Sequence, residues 1–494
     1  MVLKLRRYSE RPMYLQIKEA LRSEIVSGTF PNGTYLPSSR QLSQELGVSR
    51  ITVTNAFAEL EADGFVQGDS RRGVFVLPLW EKAVATPDTS AEPTPGWQQS
   101  LSKDPGWASE RMRLDLLWRT RKSGTIPFNA LRHDLCFLPA NEFRNSLNNV
   151  LREDGGIALD YEANAGYLPL RQTLSQYLRH QGIQAEAEDV IITSGGQQAI
   201  DLLCQAFVHP GDTVVMENPT YPNALTAFKV RHARVVGVPV DADGMRIDIL
   251  RQLLERESPR LIYTVPTFHN PTGAIMSATR RRELVLLAHE YGVPVLEDDY
   301  MREIRFGSPI PPPVASFDRY GNIIHIGTFS KSLMPALRLG YVVARGALRE
   351  RLIMLKRTAD ICSSSLIQRA LNRYLTSGEV HKHWKRVSRL CRRRQMTMVA
   401  ALERYFPKSA QWSVVEGGFA IWVSLPQDVS ARRLLNESLK HNVSFAPGEL
   451  FFIEPADQPF MRLGFAPVNE DQIERGIKAL GNLIRQQSAK GGIR

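Results

Sequence analysis

Along the first 80 residues, apolar positions recur at helical spacing. Tyr14, Ile17, Leu21 and Ile25 stand at i, i+3, i+7 and i+11, one face of a helix that Gly28 ends. Leu42 and Leu46 mark the inward side of a shorter helix, capped by Ser38 or Ser39 and broken by Gly47. Ser49 caps a third helix whose buried stripe is Val53, Phe57 and Leu60. After Gly64 the period changes: Phe65-Val66 and Val74-Phe75-Val76 read as two short strands about the polar tip Gly68–Gly73. Two helices about a glycine turn, followed by a two-stranded wing, predict a winged helix-turn-helix over residues 10–79. Arg50, Thr52 and Thr54 are left on the outside of the third helix, near its N-terminal end. Arg71 and Arg72 fall at the wing tip, where they suit the minor groove or phosphates. Ordinary surface charge on a small helical interaction module is the other reading of the same residues.

Residues 80–120 carry no apolar stripe and are rich in Pro, Thr, Ser and Ala, as expected of an extended tether. Beyond it, over 121–494, continuous apolar runs alternate with helical stretches. The runs are Val190–Ile192, Val214–Met216, Leu261–Val265, Val293–Leu296, Ile323–Ile326 and Tyr341–Val343. This predicts an α/β body, a mostly parallel sheet with helices on both faces, whose ligand site lies at the strand C-terminal ends. From about residue 400 onward, Trp412–Trp422 and Val443–Phe445 give strands and Glu470–Gln487 a last helix, which together read as a smaller C-terminal α+β domain.

The length of 494 residues fits two or three domains. A net charge of +11 makes nucleic acid a candidate partner. The head is barely basic, with ten Lys/Arg against eight Asp/Glu in residues 1–79, so placement of the charge counts for more than its sum. Four scattered cysteines (Cys136, Cys204, Cys362, Cys391) read as reduced, mostly buried thiols, with no metal site. No signal-type or membrane-spanning run is present, so a cytoplasmic protein is expected. The basic run between Lys385 and Arg394 reads as a solvated helix face, with a second DNA-contacting surface as the alternative.

Polar residues punctuate the strand ends in an order that carries chemistry. Thr193-Ser-Gly-Gly196-Gln197 offers backbone N–H groups at a helix start, suited to a phosphate. Tyr221 can stack on a flat ring or simply pack. Asn270, in Asn-Pro-Thr-Gly, can donate to a ring oxygen or merely make a turn. Asp298, in Glu-Asp-Asp-Tyr300, would need a cationic partner if buried, and a protonated pyridine nitrogen is one. Lys331 follows a buried strand among Thr328, Ser330 and Ser332, with Arg338 seven residues on. A desolvated lysine is an amine nucleophile toward a carbonyl, and hydroxyls with an arginine suit a phosphate. An aldehyde that also carries a phosphate is pyridoxal phosphate (PLP).

Residues 10–77, through LPSSRQLSQELGVSRITV and the RRG wing, resemble the winged helix-turn-helix of the GntR family. That resemblance implies double-stranded DNA with paired half-sites, contacted by Arg40, Arg50 and Arg72-Gly73, with Ser49, Thr52 and Thr54 as helpers. From about residue 125, the motifs SGGQQA, NPTG, EDDY and TFSKxxxPxxR resemble the fold-type I PLP aminotransferases. By that likeness Lys331 carries PLP as a Schiff base, Asp298 pairs the pyridine nitrogen, Asn270 and Tyr300 contact O3′, and Tyr221 stacks on the ring. Gly196, Gln197, Thr328 and Arg338 hold the phosphate, Tyr161 reaches the partner subunit's cofactor, and Arg462 clamps a substrate carboxylate. The whole chain resembles the MocR subfamily of regulators: a PLP-dependent transcription factor, a head-to-tail homodimer, answering to an amino compound or to PLP itself. A working aminotransferase with an appended DNA-binding head is the alternative, and a body serving only as dimerisation scaffold is a third reading. The GABA-responsive relatives are expected to carry an arginine just after the stacking tyrosine; Tyr221-Pro-Asn223 departs from that.

Overall fold

The computed structural model describes residues 12–77 and 124–491, apart from positions 27, 28, 32, 64, 70–72, 308, 455 and 457. Gly28, Gly64, Arg71, Arg72 and the tether over 80–120 lie outside the described residues. The chain separates into two units, Met1–Ser102 and Lys103–Arg494.

In the first unit the helical stripe folds as α1 (Met13–Val26), followed by α2 (Ser39–Leu46) and α3 (Arg50–Ala62). Ile17, Leu21 and Ile25 meet Leu42, Val53, Phe57 and Leu60 in one core. Local chemistry sets each helix end. Ser38 Oγ accepts the Gln41 N–H at 3.2 Å, and Ser49 Oγ accepts that of Thr52 at 3.2 Å. Gly47 turns the chain between α2 and α3 at φ 62°, a left-handed conformation that favours glycine. Lys18 pairs with Glu59 and Asp63 and ties α1 to α3. The wing is β1 (Val66–Asp69) antiparallel to β2 (Gly73–Val76), and Tyr35 bridges Phe75 along its free edge. Ser49→Ala is expected to cost this unit about 1 kcal/mol by removing a cap. A lower denaturant midpoint for the head, with the body's transition unmoved, checks it.

The second unit opens with β3 (Ile126–Pro127) and continues through β4 (Val190–Thr193), β5 (Thr213–Asn218), β6 (Arg234–Asp241), β7 (Gly244–Met245), β8 (Leu261–Thr264), β9 (Val295–Asp299), β10 (Ile323–Thr328) and β11 (Gly340–Val343). The main sheet runs β4-β11-β10-β9-β8-β5-β6-β7. Its middle, β10 to β6, is parallel; β11 is antiparallel to both neighbours and β7 folds back on the edge. Strands β4, β8 and β11 are buried along their whole length, which is why each reads as an apolar run; β9 is equally buried, but only Val295-Leu296 is apolar and its end carries Glu297, Asp298 and Asp299. Strands β6 and β7 escaped the sequence reading because Gly237 and Pro239 interrupt an alternating, half-exposed pattern near the sheet edge.

The smaller lobe is a sheet ordered β12 (Gln411–Trp412), β13 (Ala420–Ser424), β16 (Phe460–Gly464), β15 (Ala446–Pro447), with β14 (Val443–Ser444) beside it. It is not built from the C-terminal residues alone. Strand β3 pairs with β14, and Ile126 and Phe128 enter the same core as Phe419, Ile421 and Leu463. The helix Glu379–Tyr405 corrects the expectation of a wholly solvated basic face. Arg394 is 3% exposed, pairs with Asp134 at 2.7 Å and donates to the Ala466 carbonyl at 2.5 Å. Arg393 pairs with Glu470. The cysteines also differ from the expectation: Cys204 and Cys391 are buried, but Cys362 is half-buried and Cys136, in a short turn, is exposed with its thiol donating to Asp134. Among the described residues no helix is long and apolar enough to cross a membrane.

Candidate functional site

Loops leaving the C-terminal ends of β4, β5, β8, β9 and β10 meet around a cavity of about 430 Å3. At the end of β4, Gly195 turns at φ 90° and caps the helix Gly196–Phe207. A Cβ there would lie 2.7 Å from Arg338 Nη2, so the turn admits the guanidinium only because residue 195 is glycine. Arg338 donates to the Ser194 carbonyl at 3.1 Å and to Ser330 Oγ at 3.3 Å. The Gly196-Gln197 turn, Thr328, Ser330 and Arg338 thus converge as N–H, hydroxyl and guanidinium donors, the set a phosphate needs.

Lys331 leaves the turn after β10 and donates from Nζ to the Leu131 carbonyl at 2.6 Å. Burial, then the nearby charges of Arg462 and Arg338, lower its pKa to about 8. The free amine, the form that attacks a carbonyl, is therefore far more populated near neutrality than for an ordinary lysine. Covalent attachment of PLP is expected to rise with pH through about 8 and to level off above it. Arg462→Met removes one repelling charge, raises the lysine's pKa and moves that profile to higher pH; the rate of borohydride-fixed labelling checks both.

Asp298, at the end of β9, accepts the Tyr263 hydroxyl at 2.7 Å. Burial pushes its pKa up to about 6. Among the described residues no cationic side chain pairs with it, so a protonated ring nitrogen is the charge this carboxylate lacks. Across the cavity, Arg462 on β16 is 6% exposed, which removes the reading of an exposed strand residue. It donates to Asn270 Oδ1 at 2.7 Å and to the Asn129 carbonyl at 3.0 Å, and lies over the Phe451 ring at 4.9 Å. Its Nε is buried without a hydrogen-bond partner, in a residue that lines the cavity, so the guanidinium keeps donor capacity for a carboxylate. Burial lowers its pKa to about 10, so it stays charged at neutral pH.

Tyr221 and Tyr300 complete the wall. The Tyr221 hydroxyl accepts from Asn223 at 3.0 Å, and burial raises its pKa to about 12. Tyr300 lines the cavity, with its hydroxyl donating to the Phe268 carbonyl at 2.8 Å. Ten of the predicted residues therefore share one cavity: Gly196, Gln197, Tyr221, Asn270, Asp298, Tyr300, Thr328, Lys331, Arg338 and Arg462. Tyr161 stands outside it, 78% exposed. The sequence reading missed Tyr263, Asn129, Leu131 and Phe451. Tyr263 is hidden inside an apolar strand, and the other three give no local signal.

In the head, Arg40, Ser49, Arg50 and Thr54 are exposed and Thr52 is half-buried. Arg50 Nε donates to Ser39 Oγ at 3.2 Å, and Thr54 donates to the Arg50 carbonyl at 3.0 Å. Ser49 and Thr52 are 2.7 Å apart and spend part of their capacity on the cap. Gly73 begins β2, exposed, at φ 111°. Ile51, 72% exposed beside Arg50, is a candidate base-contact residue that the sequence reading passed over.

The donor set fits PLP: a glycine cradle with an arginine, a lowered lysine, a buried carboxylate lacking a cation, and an unpartnered guanidinium N–H. A winged helix-turn-helix unit joined to a body with this cavity defines a DNA-binding regulator with an aminotransferase-type domain. The chain belongs to the aminotransferase class I and II family over residues 133–480 and to the bacterial regulatory proteins of the gntR family over residues 13–76, the MocR architecture. It is 29% identical over 479 residues to the HTH-type transcriptional regulator YdfD of Bacillus subtilis, covering 97% of this chain and 98% of that one. It is 28% identical over 502 residues to a protein of Rhizobium meliloti described as a probable rhizopine catabolism regulatory protein, MocR, covering 100% and 98%. Among solved structures, the Pyrococcus horikoshii kynurenine aminotransferase, in complex with PMP, matches with TM-score 0.75 and 33% identity over 79% of this chain and 98% of that one.

Proposed function

We propose that this regulator binds PLP at Lys331 and answers to an amino carboxylate that reaches the same cavity. The observation that carries this reading is the convergence of Lys331, Asp298 and Arg462 on one cavity within a chain that also carries a DNA-binding unit. PLP, when bound, supplies an aldehyde for amines and a ring that draws electrons. Lys331 offers the near-neutral amine that holds it. Asp298, steadied by Tyr263, keeps the ring nitrogen protonated, and Asn270 holds the ring oxygen while Tyr300 closes the wall beside it. Tyr221 covers the ring face. Gly196, Gln197, Thr328 and Arg338 hold the phosphate. Arg462 takes the ligand's carboxylate through Nε and Nη2, and its bond to Asn270 couples the ligand end of the cavity to the cofactor end.

The same reading extends to the partners. Tyr161, exposed on the body, is assigned to the partner subunit's cofactor in a head-to-tail homodimer, and two heads then read paired half-sites on double-stranded DNA. Arg40, Arg50 and the Arg72-Gly73 wing tip contact the DNA, with Ser49, Thr52 and Thr54 supporting them. Ligand occupancy shifts DNA binding only by its differential affinity for the body shapes that favour and disfavour the bound head. The GABA-responsive relatives are expected to carry an arginine just after the stacking tyrosine; Tyr221-Pro-Asn223 carries none, which speaks against GABA as the effector.

Arg462→Ala tests the assignment. It is expected to keep the fixed cofactor while amino carboxylates lose about tenfold or more in their power to perturb its absorbance. An unchanged titration would remove the clamp. One observation favours a second reading, a transaminase with a DNA-binding head: the same clamp and lysine stand in a body 33% identical to a working aminotransferase. Steady conversion of an amino donor with 2-oxoglutarate would establish it.

A further inference from the structure

The body carries a second cavity, larger than the lysine site. A cleft of about 940 Å3 lies between the helix Glu379–Tyr405, the helix Leu168–His180 and the segment that follows β9. Lys385, Arg389 and Arg392 line it at i, i+4 and i+7 of one helix, and Arg305 lines it from the segment after β9. Among the described residues none of these four pairs with a carboxylate. Elsewhere on the same helix, Arg393 and Arg394 are neutralised by Glu470 and Asp134. The one carboxylate among the lining residues, Glu303, is engaged by the Tyr177 hydroxyl. Trp384 and Phe306 add flat apolar walls. Unpaired cations around an aromatic-walled cleft of this size suit a small ligand with both phosphates and a ring.

The cleft backs onto the cofactor residues. Trp384 Nε1 donates to the carbonyl of Ser332, the residue after Lys331, at 3.1 Å. Arg302, also in its wall, pairs at 2.5 Å with Asp299, the residue after Asp298. A ligand pressing on Trp384 or Arg302 therefore acts on the backbone that carries both Lys331 and Asp298. We propose that this cleft is a second ligand site, for a nucleoside polyphosphate or a molecule of the same chemistry, and that its occupancy is felt at Lys331. The site stands independently of the amino-carboxylate reading.

Calorimetric titration of the full-length protein with ATP and with inorganic pyrophosphate, at fixed ionic strength, tests it. One ATP per chain is expected, with pyrophosphate weaker because it lacks the ring and both weakened by added salt. Replacing Arg389 and Arg392 together by alanine, both exposed, is expected to lower ATP affinity about tenfold or more with the melting profile intact. Fixing PLP on Lys331 with borohydride still leaves one ATP bound per chain, its affinity changed at most by the coupling between the two sites. ATP shifts the unreduced cofactor's absorbance, and Trp384→Phe keeps ATP binding but loses that shift. Absence of ATP binding overturns the proposal, as does loss of binding once PLP is fixed, which would place ATP in the phosphate cradle. Unchanged ATP affinity in the double variant, with weaker and less salt-dependent DNA binding, also overturns it and assigns the row to the DNA backbone.

Discussion

Lys331→Ala is expected to abolish covalent retention of PLP: borohydride fixes label to the wild-type chain at residue 331 and none to the variant. The effect is total because the other amines near the cavity cannot substitute. Lys331 is the one lysine among the residues lining it, and the Arg338 and Arg462 guanidiniums do not attack an aldehyde as an amine does. The donors around the phosphate are untouched, so the variant still takes up PLP reversibly, and mass analysis of the reduced protein separates uptake from attachment. Its DNA binding is expected to become indifferent to amino carboxylates, since the group they would displace is gone. Label on another residue of the variant would reassign the amine.

Arg50→Ala is expected to weaken operator binding about tenfold or more, within the roughly 1–3 kcal/mol that a base-reading arginine carries. Arg50 stands exposed at the first turn of α3, the end of a recognition helix that meets base edges. Among the described residues its side chain bonds only Ser39 Oγ, at 3.2 Å. The variant keeps its cofactor label and its melting profile. Unchanged operator affinity would mean that α3 is not the reading helix.

The fold was largely legible because its signals are local. Buried parallel strands read as apolar runs, and α2 and α3 each begin at a serine whose capping role is set within three residues. The cavity was legible for a different reason: its residues fall at successive strand ends, where an open α/β sheet must place its ligand. The partnerships were not legible. Asn270 meets Arg462 across 192 positions, and Lys331 meets Leu131 across 200, and no periodicity reports such contacts. Arg394 is the instructive miss. Its spacing from Val387, Cys391 and Met398 puts it on the inner face of its helix, and the neighbouring charges hid that stripe. The cationic cleft was visible as a basic run, but only folding shows which of its charges are neutralised and which remain free.

The most direct measurement is operator affinity of the full-length protein at one salt concentration, on a duplex selected from a random pool. Three forms are compared: without cofactor, with PLP, and with PLP plus an amino carboxylate that perturbs its absorbance. A ligand-coupled regulator gives affinities that differ about fivefold or more between at least two forms, and Lys331→Ala erases the difference caused by the amino compound. Equal affinities in all three forms, with PLP demonstrably attached at Lys331, would contradict the coupling and leave a DNA-binding unit beside an independent PLP domain.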